Sequence, residues 1–163
     1  MRRLALVVGL VLVVLAPVGY ALFHREGPRP PVPLPEGVPR APSYDSAPAV
    51  VARLDARGIP CKELPRDSRG QRLGQLVACE ATVDGREVGL DIYVAARRGF
   101  DRDRDLGTMV ANSRARPYFH TLVVAGNWKV RVHRARFASD IAEALGGVVL
   151  RPFGTPHREL PPA

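Results

Sequence analysis

Residues 75–94, QLVACEATVDGREVGLDIYV, carry the pattern on which the fold turns. Asp84-Gly85 is a strong two-residue hairpin signal, because the tight turn that matches strand twist needs positive φ at both central positions. With those two residues as the turn, Val83 faces Arg86, Ala81 faces Val88, Cys79 faces Leu90 and Val77 faces Ile92. Thr82, Glu80, Glu87 and Asp91 fall on the other face. The alternation holds on both strands, so Cys79 is expected to point into a core.

A second hairpin reads in HTLVVAGNWKVRVH, residues 120–133, with Gly126-Asn127 as its turn. That register sets Ala125 against Trp128, Val123 against Val130 and Thr121 against Val132, and makes Trp128 a packing residue rather than a ligand platform. His120 and His133 then face one another. Such a pair is a weak metal or pH-sensing site, for which the sequence identifies no third ligand. Around the hairpins, Ser46 suits the cap of a helix running to about Arg57, with Ala47, Val50, Val51 and Leu54 on one face and Gly58 ending it. Further helices are expected around Leu106, Met109 and Val110, and from Ser139 to Leu145 before Gly146-Gly147, with residues 148–150 returning to the sheet. The expected fold class is α+β: an antiparallel sheet of about five strands with helices packed on one face, preceded by an N-terminal transmembrane helix.

The only cysteines are Cys61 and Cys79. They lack the Cys-x-x-Cys spacing of a redox pair, and two thiols without a clear histidine set make a poor zinc site. A structural disulfide is expected, provided the chain is exported.

Export is what the first residues suggest. Arg2 and Arg3 precede the apolar run Leu4–Phe23, whose 20 residues would span about 30 Å as a helix. The flanking arginines favour a cytoplasmic N-terminus and an extracytoplasmic remainder. Residues 1–26 are therefore read as a signal anchor holding the chain in the cell membrane as a single-pass protein through residues 4–23. Cleavage near Gly19-Tyr20-Ala21 would instead release a secreted form. Residues 27–45 read as an extended linker, and the proline-rich stretch 27–42 within it as a stalk reaching up to roughly 50 Å at about 3.1 Å per residue. Residues 46–151 form the expected globular domain and 152–163 a flexible tail.

The formal net charge is +8, but basic residues are dispersed among acids, which argues against specific nucleic-acid binding. Asp101, Asp103 and Asp105 resemble the start of a calcium loop. Leu106 stands where the loop glycine belongs and Asn112 where the final glutamate belongs, so a solvated helix start is the better reading. G-x-S-x-G, H-E-x-x-H, P-loop and dinucleotide motifs are absent. No catalytic residue, cofactor or complete metal set is therefore assigned.

GIPC (58–61), the second cysteine before VDGREVGLDIYV (83–94), VVAGNWKV (123–130) and IAEALGG (141–147) together resemble a group of small uncharacterised actinobacterial exported or membrane-anchored proteins with a paired-cysteine α+β domain. The resemblance implies a fold and a setting, and no activity. Many such proteins carry a lipobox cysteine, which this chain lacks. The expected function is a non-catalytic cell-envelope domain binding a protein or cell-wall polymer. The alternative is a small extracytoplasmic hydrolase or metal-dependent enzyme.

Overall fold

In the computed structural model, which describes residues 31–65, 74–95, 99–115 and 120–153, the opening stretch forms the hairpin its pattern requires. Strands β2 (Gln75–Val83) and β3 (Arg86–Val94) pair antiparallel with Val83 opposite Arg86 and Cys79 opposite Leu90. Asp84 and Gly85 take φ of 48° and 71°, the double positive turn that matches strand twist. The second hairpin, β4 (Thr121–Ala125) with β5 (Trp128–Val132), also keeps the expected register. A short strand β1 (Cys61–Leu64) borders β2, and β6 (Val148–Leu150) borders β4.

The result is one antiparallel sheet of six strands rather than about five, in the order β1-β2-β3-β5-β4-β6. The two hairpins meet along β3 and β5, where Leu90 faces Val132 and Val94 faces Trp128. Both edges are short, and prolines bracket them: Pro60 and Pro65 around β1, Pro152 after β6.

Helix α1 (Ala47–Asp55) starts at Ser46, whose Oγ accepts from the Ala49 amide at 3.3 Å. Its buried face is Ala47, Val50, Val51 and Leu54, the stripe its spacing dictates. Helix α3 (Ala138–Leu145) buries Ile141, Ala142 and Leu145 and ends at Gly146 with φ 71°. Both share one core with Val88, Leu90, Ile92, Trp128, Val130 and Val132.

The expectation of helices on one face alone needs correction. Helix α2 (Gly107–Arg114), preceded by a π-helical turn at Arg102–Leu106, contributes to a second cluster in which Leu106 and Val110 meet Leu122 and Val124. The physical cause lies in β4: all five of its residues are buried, so both of its faces need apolar cover.

Cys61 and Cys79 form a disulfide with a Cα–Cα distance of 5.7 Å. Cys61 stands opposite Ala81, so the bond runs diagonally between β1 and β2. Residues 31–45, expected as an extended stalk, are docked and turn at Glu36-Gly37, where Gly37 has φ 84° and the Val38 amide donates to the Pro35 carbonyl at 3.5 Å; the compact unit containing the sheet begins at Pro31. At the other end of the described chain, Phe153 lies under the Arg114 guanidinium at 4.2 Å and its amide donates to the Arg114 carbonyl at 3.2 Å. The apolar run 4–23, residues 24–30 and the tail from 154 lie outside the described residues. Among the described residues no helix is long and apolar enough to cross a membrane.

Candidate binding site

Two arrangements bring polar side chains together. The first lies on the sheet face opposite α1 and α3, where the histidine pair was expected. His120 and His133 do approach, with ring centroids 6.0 Å apart and planes tilted by 30°. The partner of His133 was not foreseen. Asp91 of β3 stands opposite Arg131 of β5, accepts from its Nε at 2.7 Å and its terminal nitrogen, and contacts His133 Nε2 at 3.0 Å through the same oxygen. Gly89 makes room for the imidazole: a Cβ there would sit 3.0 Å from His133 Nδ1.

This geometry directs both ring nitrogens of His133 towards β3, whereas His120 precedes β4 on the other side of β5. Among the described residues no group of three histidine, cysteine or acidic side chains is placed to hold a metal ion, and no buried side-chain polar atom lacks a hydrogen-bond partner. The cluster is an internally paired network.

The aspartates of the calcium-like stretch are the helix start that charge logic favoured. Asp101 caps it by accepting from the Arg104 amide at 2.9 Å, Asp103 pairs with Arg102 and Asp105 with Arg104.

The second arrangement is the groove that receives residues 31–45. Arg102 crosses this segment, donating from Nε to the Gly126 carbonyl at 3.0 Å and from one terminal nitrogen to the Val38 and Pro39 carbonyls at 2.9 and 2.8 Å. The Gly126 amide donates to the same Pro39 oxygen at 2.9 Å. The Trp128 indole donates to the Pro42 carbonyl at 2.9 Å, and Asn127 Nδ2 donates to the Tyr44 carbonyl at 2.7 Å while its oxygen accepts the Tyr44 amide. The Tyr44 ring meets Trp128 edge-on at 5.9 Å between centroids. Gly126 has φ 45°, and a Cβ there would strike the Pro42 carbonyl, so the turn residue also permits the close approach.

Partial burial raises the Tyr44 pKa, opposed by the neighbouring Arg53 and Arg57. Acidic and basic side chains balance in number across the described residues, so the whole formal excess of positive charge falls outside them. The Trp128 ring is fully buried, as expected of a packing residue, and its indole also holds the Pro42 carbonyl of the docked segment. The roles of Arg102 and Asn127 had no local signal in sequence, because their partners lie more than sixty residues away.

Comparison with protein-family models, curated proteins and solved structures finds no match.

Proposed function

We propose that this chain is a non-catalytic cell-envelope domain, attached to the membrane through residues 4–23 and binding a protein or cell-wall polymer outside the cytoplasm. The observation that carries the reading is the Cys61–Cys79 disulfide, with Cys79 fully buried within the sheet. A buried cross-strand staple suits an oxidising compartment and a structural purpose. The apolar run with arginines before it supports the same setting.

Protease added to intact, wall-stripped cells tests the topology. The domain is expected to be removed while cytoplasmic markers survive; digestion only after lysis would overturn the proposal. Alkaline extraction distinguishes a retained anchor, which stays with the membrane pellet, from a cleaved and secreted form.

A further inference from the structure

The groove around Arg102, Gly126, Asn127 and Trp128 has a chemical bias. Its donors are directed at backbone carbonyls: two nitrogens of the Arg102 guanidinium reach oxygens on either side of the groove, and the Gly126 amide, the Trp128 indole and the Asn127 amide nitrogen reach the docked segment. A segment rich in proline presents this pattern of acceptors, because each proline removes a backbone donor and keeps its carbonyl. Residues 31–42 include Pro31, Pro33, Pro35, Pro39 and Pro42. Aromatic-lined grooves are an established means of recognising proline-rich chains.

The docked segment is held lightly by apolar contact. Val38 alone among residues 31–45 is buried, while Leu34, Pro35, Pro39, Pro42 and Tyr44 are half-buried and most others are exposed. It belongs to no strand of the sheet, so its departure would leave every strand pairing in place. Such a segment sits at the low end of the stability scale within a domain.

We propose that this groove is a recognition site for proline-rich peptide, and that residues 31–45 are its resident occupant, exchangeable for a proline-rich segment of a partner. The inference builds on the binding-module reading by naming the partner chemistry. Covalent attachment gives the resident segment a high effective concentration, so a partner competes well only when that segment is loosened or the partner is locally abundant.

The chain has a single tryptophan, and it lies at the groove, so its emission reports occupancy. Val38→Asp loosens the segment without altering a groove donor. In the full-length variant held in detergent micelles, emission is expected to shift to the red and cleavage within residues 31–45 to accelerate at least tenfold, with far-ultraviolet dichroism retained. A synthetic peptide of residues 31–45 should restore the original emission saturably, and a version with all its prolines replaced by glycine should do so at least fivefold more weakly. No recovery at saturating peptide, or equal recovery by the glycine version, would overturn the proposal.

Hydrogen exchange in the unaltered chain supplies a measurement independent of that variant's folding. The Trp128 indole proton and Gly126 amide should exchange at least tenfold faster than the Ile92 amide. Equal rates would mean that the segment leaves only when the whole domain unfolds, and the proposal would fall. These measurements use purified protein, so their failure leaves the cellular topology intact, and a failure of the topology leaves them unaffected.

Discussion

Arg131 and Asp91 stand directly opposite one another on β5 and β3, and the guanidinium grips a single carboxylate oxygen that His133 also contacts. The Asp91 side chain is only 12% exposed and that of Arg131 31%. Asp91→Ala therefore leaves a half-buried cation without this partner, and partial solvent access places the expected loss at about 1–2 kcal/mol. Replacing both residues by leucine and methionine should recover much of it, since no unpaired charge then remains. Urea midpoints of the single and double variants check this; an unchanged midpoint for Asp91→Ala refutes it.

Removing the disulfide by Cys61→Ala/Cys79→Ala should lower stability by about 3 kcal/mol, because the bond closes a short loop in the unfolded chain. The bond joins residues 18 apart in sequence. Partner binding should survive below the lowered melting temperature. Peptide mapping without reductant tests the bond itself, and two free thiols in exported protein would rule it out.

Arg102→Ala removes donors to three carbonyls at once. A loss of about 1–3 kcal/mol is expected, with faster proteolysis between Pro31 and Ser46. Arg102→Lys should rescue only part, because one ammonium cannot reproduce the span of the planar fork. Full rescue by lysine would show that charge alone holds the segment.

Tyr44 contributes to the alkaline dependence of stability. Its folded pKa is raised above the ordinary value of 10.0, chiefly by burial. The unfolded chain therefore loses this proton first, and the Tyr44 contribution, complete below about pH 10, declines as pH climbs through the folded pKa. Tyr44→Phe should flatten that decline. Thermal melts between pH 9 and 11 in roughly half-unit steps, read with phenolate absorbance, give the sign directly.

Much of the sheet was legible because both hairpins join turn chemistry to strict alternation: Asp84-Gly85 and Gly126-Asn127 each set a register that the strands obey. The second covered face was missed, although the sequence carries a signal for it. Leu122 and Val124 are as apolar as Val123 and Ala125, and an unbroken apolar strand signals cover on both sides. The Asp91–His133 contact was harder to find, because β3 and β5 are not joined by a turn and their register rests on long-range packing. Gly89 was the available clue, an isolated glycine inside a strand where an imidazole needs space. Docking of residues 31–45 left no local pattern. Proline content foretells an extended backbone, whereas the donors that capture it are Arg102, Asn127 and Trp128, far along the chain.

The prolines beside β1 and β6 bear on behaviour in a crowd. Open strand edges are templates on which neighbouring molecules polymerise, and the hazard grows where many copies share a thin layer. Here the outer strands have four and three residues, and Pro60, Pro65 and Pro152 interrupt the donor rows at their ends. Such edges give an incoming strand little to pair with. Copies held at high concentration would thus resist fibre-like association through the sheet, and productive encounters would be left to side chains rather than to an exposed backbone.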